Sequence, residues 1–387
     1  MSEMIDYLLK LPKVVYGGAH AMDNLLLLCK GAKKITIFTD KGIIENRLLE
    51  KPKQIFGEIG TPYEIIDDLP AEPTVHQAND IAARYRKTAA DLIVAIGGGS
   101  VMDIAKLCSI LDTDAYTVYD LLKDPQRGRK AVRTVMIPTT AGTGAEATPN
   151  AIVTIPEEAL KVGIVNEEMI ADAVILDAEM IRKLPYKIAA ATGVDALAHA
   201  VECFTSRKAN PFSDLYALEA FALIEKNLEN ACDDTKEDMD AKRAMLTASF
   251  YAGIAITASG TTGVHALSYP LGGRYHIPHG ISNAIMLIPV MRFNECACAE
   301  RLAQLYDRIR PQGEVKKVEE KSAYVLRRME AMVKNVGIAA DLSLYDVSAG
   351  DLEDLVCAGM KVTRLLVNNM REITVSDARC IYKAVLK

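Results

Sequence analysis

The chain has 387 residues, half of them hydrophobic and a quarter charged, and its 45 basic and 51 acidic residues give a net charge of −6. This composition is typical of a soluble globular protein with about two domains. The mild acidity and the lack of a basic run exclude binding to a nucleic-acid backbone as the main activity.

The N-terminus has no basic region, long apolar core or cleavage site, and no apolar stretch is long enough for a membrane span. We therefore expect a cytoplasmic protein that does not enter a membrane. The first half then alternates β-branched runs with helical patterns, which predicts parallel βαβ units. The predicted strands cover 34–39, 63–66, 92–96, 134–137 and 174–176, with helices at 43–49, 76–87 and 101–111 among the connections.

After residue 184 the β-rich runs stop, and apolar residues recur at helical spacing almost to the C-terminus. A proline at position 185 suits the start of a helix and marks the boundary. The fold class predicted is therefore α/β plus all-α, with an α/β domain over 1–184 and a helical domain over 185–387.

A glycine turn joins one predicted strand to a predicted helix. The apolar run Leu92–Ile96 is followed directly by Gly97, Gly98, Gly99 and Ser100, and a helical pattern then begins. This order brings free backbone N–H groups and the positive end of a helix dipole together, which suits a diphosphate. Glycines also allow close approach of the backbone and positive φ. The turn is not a G-x-G-x-x-G fingerprint, and a glycine turn without a ligand is the alternative.

Two other strand ends carry polar side chains at the edge where open α/β sheets bind ligands. Thr139, Thr140 and Thr143 follow the strand that ends at residue 137 and can donate to phosphate oxygens or to a nicotinamide amide. Asp40 ends an earlier strand, where a carboxylate accepts hydrogen bonds from a ribose diol and repels a 2′-phosphate. This favours NAD over NADP, with capping of the next helix as the alternative role for Asp40.

The histidines are concentrated in the second half, where four of the six lie between His199 and His279. Asp195 and His199 are four residues apart in an apolar helical stretch, where a buried aspartate is costly unless it is paired or bound to a cation. With His265 and His279 they offer one carboxylate and three imidazoles, a set that suits Fe²⁺ or Zn²⁺. An ordinary helix ion pair between Asp195 and His199 is the alternative.

Four segments together resemble the iron-containing, metal-dependent alcohol dehydrogenase family: AIGGGSVMDIAK at 95–106, PTTAGTGAEAT at 138–148, GVDALAHAVE at 193–202 and YHIPHGISNAI at 275–285. The resemblance extends from Tyr16 to the C-terminus. It implies an N-terminal Rossmann-like parallel-sheet domain that binds NAD(P), and a C-terminal helical-bundle domain, as in dehydroquinate synthase, that holds the metal. It also implies a reaction cleft between the domains and at least a homodimer.

The resemblance also assigns site residues. It implies that Asp195, His199, His265 and His279 bind the metal. The predicted cofactor residues are Asp40, Gly97, Gly98, Gly99, Ser100, Asp103, Thr139, Thr140, Thr143 and Lys161. Thr148 and Asn150 are similar to positions on the nicotinamide side of the cleft. The metal would polarise the substrate oxygen while hydride passes to nicotinamide, and the first candidate for a proton relay is His276, with a surface histidine as the alternative.

Tyr269 is a departure from the family pattern, because many members have a histidine there, one helical turn after the ligand His265. Tyr269 is also the second candidate for the proton relay. The stretches 265–280, 184–187, 209–211 and 364–369 look most like the 4-hydroxybutyrate dehydrogenase branch. This predicts the 4-hydroxybutyrate and succinic semialdehyde pair as substrates, with Arg274 or Lys161 as the partner of the carboxylate.

Three other activities compete with this prediction. The first is a generic short-chain primary alcohol or diol dehydrogenase. A metal-dependent lyase or cyclase on the same scaffold would need a strongly basic pocket, whereas the region between the histidines offers mainly Arg274. A metallohydrolase would need no nucleotide loop, so the glycine turn counts against it.

Overall fold

A computed structural model describes residues 6–158, 160–313 and 317–386. The chain divides into two units, Leu11–Pro185 and Tyr186–Lys387, and the described residues 6–10 group with the second. The domain predicted over 1–184 includes these residues, whereas in the structure the Tyr7 ring packs edge-on against Phe212 of the second unit. Among the described helices, none is both long and apolar enough to cross a membrane.

The first unit is built on a parallel sheet. Its strands are β1 (Val14–Gly17), β2 (Ile35–Phe38), β3 (Tyr63–Ile66), β4 (Leu92–Gly97), β5 (Arg133–Pro138), β6 (Asn150–Ile155), β7 (Leu160–Val165) and β8 (Ala173–Leu176). Six of them pair in the order β1-β8-β5-β4-β2-β3, with every pair parallel. Strands β6 and β7 form a separate antiparallel pair.

The burial of the strands follows their composition. Every residue of β2, β4 and β8 is buried, because these uncharged apolar runs lie inside the sheet and are covered on both faces. The edge strands β1 and β3 are largely exposed. The five predicted strands are all present, whereas β1, β6 and β7 were not predicted.

The helices of this unit are α1 (Leu25–Cys29), α2 (Lys41–Glu45), α3 (Glu50–Ile59), α4 (Val75–Thr88), α5 (Gly99–Ile110) and α6 (Val118–Lys123). The helix predicted over 43–49 is correct only over 43–45, which lie in α2, and is wrong over 46–49. Helix α2 ends at Glu45, Arg47 has a φ of 60°, and α3 begins at Glu50. A left-handed residue interrupts the helical hydrogen bonds, so one pattern in the sequence becomes two short helices.

The order of strands places a topological switch point between β2 and β4. From β2 the chain passes to β3 on one side and then returns to β4 on the other side. Asp40 follows the carboxyl end of β2, and Gly98 follows that of β4. Open α/β sheets bind dinucleotides at such a point, so the fold brings these two predicted cofactor segments to the same place.

The second unit has helices joined by loops, and its described residues form no strand beyond an isolated bridge between Ser206 and Asn369. Its helices are α7 (Tyr186–Phe204), α8 (Pro211–Cys232), α9 (Met239–Ser259), α10 (Gly263–Tyr275), α11 (His279–Ile309), α12 (Val318–Asn335), α13 (Leu352–Met360), α14 (Thr363–Leu366) and α15 (Val375–Lys383). The alanine-rich α7 packs against α8, α9 and α11. A Cβ on Gly193 would lie 2.4 Å from Leu228 Cδ1, so glycine allows α8 to approach α7 closely.

Candidate metal and cofactor sites

Three helices supply the predicted metal ligands. Asp195 and His199 lie one turn apart on α7, His265 lies in the first turn of α10, and His279 is the first residue of α11. Asp195, His199 and His265 are buried, whereas the side chain of His279 is 31% exposed. Side chains from three helices that are distant in sequence therefore meet in one buried cluster with one partly open side.

The donor atoms of this cluster converge on a small volume. The Nε2 atoms of His199, His265 and His279 lie 3.8, 3.8 and 3.7 Å from Asp195 Oδ1. The Nε2 atoms of His199 and His265 are 2.8 Å apart, and all four donor atoms lie within 4.8 Å of one another. Ligands bound at about 2.0–2.2 Å from one ion have spacings of this order. The carboxylate and three imidazoles therefore fit a divalent ion.

A glycine sets the spacing between two of these helices. A Cβ on Gly280 would lie 2.3 Å from the carbonyl oxygen of Ala191 and 2.7 Å from its carbonyl carbon. The start of α11 thus packs directly on the backbone of α7. Because His279 precedes Gly280 and Asp195 is one turn after Ala191, this contact sets how close the two ligands come.

Two polar residues that the sequence analysis missed hold the ligands. Asn283 Nδ2 donates to Asp195 Oδ1 over 2.6 Å, and the Asn283 oxygen accepts from the Ser268 hydroxyl. Glu202 Oε2 contacts His265 Nδ1. Both missed residues had a signal in the sequence, because Glu202 is three residues after His199 and Asn283 is four after His279, on the same helix faces.

Electrostatics favour ionised carboxylates in this cluster. Burial alone would raise the pKa of Asp195, but the three imidazoles around it and the Asn283 amide hold that pKa below its usual range. Burial likewise opposes ionisation of Glu202, but His265 and the Thr262 hydroxyl lower its pKa. Both buried carboxylates thus have partners for their negative charge.

The two candidate proton carriers have different surroundings. Tyr269 is buried on α10, with its ring centroid 6.1 Å from that of His279. It packs with Ala266 and with Leu365 of α14. His276 is exposed at the C-terminal end of α10 with a φ of 54°, and it is not a member of the four-residue cluster. The role of each residue stays a prediction.

The predicted diphosphate loop has the expected order of strand, turn and helix. Gly97 ends β4, Gly98 is the N-cap of α5, and Gly99 is its first residue. A Cβ on Gly99 would lie 2.9 Å from Thr143 Cγ2, and one on Gly97 would lie 2.6 Å from Val101 Cβ. None of the three glycines has a positive φ, so that part of the prediction is wrong. Close approach is what requires glycine here.

The loop lies beside the predicted threonine turn. Thr139 N–H donates to the Gly97 carbonyl, and Thr140 lies against Gly98 as Thr143 does against Gly99. Ser100 Oγ accepts from the Glu72 N–H, which leaves the hydroxyl proton free to donate. Asp40 Oδ1 caps α2 by accepting from the Ile43 N–H over 3.0 Å. A carboxylate has two acceptor oxygens, so capping is compatible with binding a ribose.

Several predicted binding side chains already have partners. Asp103 Oδ2 accepts from the Ile152 N–H, and its Oδ1 lies 2.9 Å from the buried Lys106 Nζ. Lys161 Nζ pairs with Glu72 at 2.6 Å. Arg274 pairs with Asp354 at 2.7 Å on the surface. Arg274 and Lys161, the two cations predicted to meet a substrate carboxylate, are therefore both paired with carboxylates of the protein.

Comparisons with known proteins give a consistent result. The family profile described as "Iron-containing alcohol dehydrogenase" matches residues 12–178, and the profile "Fe-containing alcohol dehydrogenase family, C-terminal" matches residues 189–386. Long-chain-alcohol dehydrogenase 1 of Geobacillus thermodenitrificans (strain NG80-2) is 32% identical over 378 residues, which cover 96% of this chain and 95% of that relative.

Two solved structures extend the comparison. A 1,3-propanediol oxidoreductase superposes with a TM-score of 0.91 at 29% identity, covering 99% of this chain and 100% of the other. Sulfoacetaldehyde reductase from Bifidobacterium kashiwanohense in complex with NAD⁺ superposes with a TM-score of 0.86 at 27% identity, covering 98% and 99%. The similarity therefore extends over both units.

Proposed function

The chain belongs to the iron-containing alcohol dehydrogenase family and is an NAD-dependent, metal-dependent oxidoreductase of alcohols and aldehydes; from this premise we propose which residues form its sites and which substrate it takes. Asp195, His199, His265 and His279 hold the metal ion. The loop from Gly97 to Ser100, the threonine turn, Asp40, Asp103 and Lys161 form the NAD site. The observation that carries this assignment is the buried convergence of one carboxylate and three imidazoles.

When bound, the metal acts as a Lewis acid on the substrate oxygen and NAD accepts or returns the hydride. The protein supplies the geometry for both. Asp195 brings a negative charge to the cluster, and each histidine turns its Nε2 toward that charge. Glycines allow the α5 N-terminus to approach a diphosphate. A proton must also leave the alcohol, and Tyr269 and His276 are the proposed carriers.

The substrate we propose is a short hydroxy acid with its semialdehyde, and 4-hydroxybutyrate with succinic semialdehyde is the best candidate. The sequence resemblance at 265–280 and 364–369 supports it. One similar protein, a sulfoacetaldehyde reductase, is also named for an aldehyde with an anionic group. A generic alcohol or diol dehydrogenase is the alternative, and the similarity to a 1,3-propanediol oxidoreductase favours it. A lyase or cyclase on this scaffold is the less favoured alternative.

An anionic substrate needs a cation near the metal cluster, and α14 supplies one. Leu365 of α14 packs on Ala266 and Tyr269, in the turn that follows His265. The neighbouring Arg364 is exposed, and it lies on α14, which packs against the helix that carries His265. We therefore assign the carboxylate of the substrate to Arg364, in place of Arg274 or Lys161.

A steady-state panel tests this assignment, with succinic semialdehyde and butyraldehyde reduced by NADH under one set of conditions. We expect a higher kcat/KM for succinic semialdehyde, because butyraldehyde is nearly isosteric but has no charge to pair. In Arg364→Gln the value for succinic semialdehyde should fall about tenfold or more, since a charged hydrogen bond contributes roughly 1.5–3 kcal/mol. The value for butyraldehyde should stay within about twofold.

Arg274→Gln is the comparison variant, because Arg274 is already paired with Asp354. A selective loss in that variant would return the carboxylate to Arg274. Equal or better use of butyraldehyde by the wild type would support the generic alcohol or diol dehydrogenase. A homo-oligomer, which the family resemblance implies, and a cytoplasmic location also stay proposals, to be checked by light scattering and by cell fractionation.

A further inference from the structure

Glu202 links two of the helices that carry the proposed metal ligands. It lies on α7, three residues after His199, and its side chain is completely buried. Its carboxylate reaches the N-terminus of α10, where His265 is located. Burial of a charge is costly unless the site satisfies it, and both oxygens of Glu202 have partners.

One oxygen of Glu202 caps α10. Oε1 accepts from the Thr262 N–H at 2.9 Å, the Thr262 hydroxyl at 2.8 Å and the Val264 N–H at 2.8 Å. Thr262 is the N-cap residue, but its own side chain makes no capping hydrogen bond. The acceptor for the Val264 and His265 N–H groups in the first turn of α10 therefore comes from α7 rather than from α10 itself.

The other oxygen of Glu202 fixes the imidazole of His265. Oε2 contacts Nδ1, and an ionised carboxylate can only accept, so Nδ1 must carry the proton. In a neutral imidazole this leaves the lone pair on Nε2. That Nε2 points into the cluster, 2.8 Å from His199 Nε2 and 3.8 Å from Asp195 Oδ1.

We propose that Glu202 is a positioning residue for the metal site. Its carboxylate holds His265 in the tautomer and orientation that leave Nε2 free to bind the ion. The inference rests on the proposed function, in which His265 is a ligand. Through its other oxygen, Glu202 also fixes the helix end that carries His265. The same carboxylate therefore sets both the position and the proton of one ligand.

Glu202→Gln separates these two effects. Four donors converge on Oε1, the His265 N–H at 3.3 Å being the fourth, so the amide oxygen of glutamine takes that place and keeps the cap of α10. The amide NH₂ then faces Nδ1 and donates to it, which moves the imidazole proton to Nε2. Zn²⁺ affinity, measured by chelator competition, should fall about 10–100-fold, as it does when an outer partner of a ligand is lost.

Thr262→Val is the matched control. It removes the hydroxyl donor to Oε1 but leaves Oε2 on His265 Nδ1, so we expect lower thermal stability with Zn²⁺ affinity within about threefold of wild type. Glu202→Asp keeps the charge but shortens the side chain, and it should recover part of the affinity that Glu202→Gln loses. Zn²⁺ affinity of Glu202→Gln within about threefold of wild type would overturn the proposal.

A second readout does not depend on a bound ion. Nitrogen-15 spectra of histidine-labelled protein, with His265 assigned by comparison with His265→Ala, report which ring nitrogen carries the proton. We expect a proton on Nδ1 in the wild type and on Nε2 in Glu202→Gln. Protonation of Nδ1 in both proteins would overturn the inference. A wild type that binds no divalent ion but has the expected tautomers would instead contradict the proposed metal site.

Discussion

The two sites of this protein are built from different parts of the polypeptide. In the helical unit, four side chains from three helices bring their donor atoms within 4.8 Å of one another. In the α/β unit, the loop at Gly97–Gly99 is defined by the absence of side chains, and a Cβ on these glycines would meet Val101, Thr140 and Thr143. The proposed metal site therefore depends on the atoms that residues carry, and the proposed cofactor site depends on atoms that residues lack.

Two buried glutamates extend the comparison. Glu202, beside the proposed metal site, accepts hydrogen bonds from a helix N-terminus and contacts His265. Burial alone would raise the pKa of Glu202, but His265 and the Thr262 hydroxyl lower it below its usual value. Glu146, just after the threonine turn, has an Oε1 without a hydrogen-bond partner among the described residues, and burial raises its pKa to about 7. The same residue type is thus held as an anion in one region and protonated more readily in the other.

The largest effect is expected from His265→Ala, which removes a donor atom from the metal site. We expect loss of bound metal and a fall in kcat/KM of more than about 100-fold, since even outer partners of ligands cost 10–100-fold. Elemental analysis and steady-state kinetics measure both. His20→Ala, which removes an 89% exposed histidine outside the cluster, should change neither. Equal metal content with full activity in His265→Ala would rule out the assignment.

Adding an atom to the cofactor loop is the complementary test. The new methyl of Gly99→Ala would lie 2.9 Å from Thr143 Cγ2. Because overpacking costs roughly 1–3 kcal/mol, KM for NAD should rise about tenfold or more with metal content unchanged. The double variant with Thr143→Ser removes Cγ2 and should recover much of the loss. Gly57→Ala on α3 has no atom within 4 Å to meet and is the control. Unchanged NAD kinetics in Gly99→Ala would contradict the loop assignment.

A side chain also acts in the cofactor region, and Asp40→Gly tests it. We expect the ratio of kcat/KM for NADP to that for NAD to rise about tenfold, because a carboxylate beside a 2′-phosphate is repulsive. Glycine at an N-cap costs only a few tenths of a kcal/mol, so α2 should persist. Asp40→Asn keeps the capping oxygen without the charge, and it should show most of the same change. A wild type that prefers NADP would exclude this role.

The smallest effect concerns the pH dependence of stability. Because the pKa of Glu146 is raised to about 7 in the folded protein, the folded state binds the proton more tightly than the unfolded state does. The contribution of the Glu146 carboxyl to the free energy of unfolding therefore falls as pH rises toward and through 7. Between pH 6 and pH 7.5 the wild type should lose about 1 kcal/mol more than Glu146→Gln. Denaturant titrations at both pH values measure this difference, and equal losses would contradict it.

Much of the fold was predictable, because its signals are local. The apolar runs of β2, β4, β5 and β8 and the change to helical spacing after residue 184 predicted an α/β region followed by helices, which is confirmed. Strands β6 and β7 also carry β-branched runs with a short connection, so their omission was an error of interpretation. The order of strands depends on pairing between distant segments, which no local pattern contains.

In the sites, too, the residues with local signals were predictable, whereas the contacts between distant segments were not. Carboxylate and imidazole groups in apolar helices are costly without a ligand, so the sequence indicated the four cluster residues, and the family prediction is confirmed. The hydrogen bond between Glu202 and His265 joins two residues that are 63 positions apart and lie on different helices, so only the fold shows it. The pairing of Arg274 with Asp354 is likewise tertiary. The 4-hydroxybutyrate branch stays a prediction.

The contact between Gly280 and the backbone of Ala191 has a consequence for mutational tolerance. A Cβ at position 280 would meet main-chain atoms at 2.3 and 2.7 Å, and a main chain cannot rotate away as a side chain can. Every substitution there must therefore displace one helix relative to the other. In a saturation library selected for activity, we expect position 280 to return glycine alone, whereas the exposed Arg292 of the same helix should accept many residues.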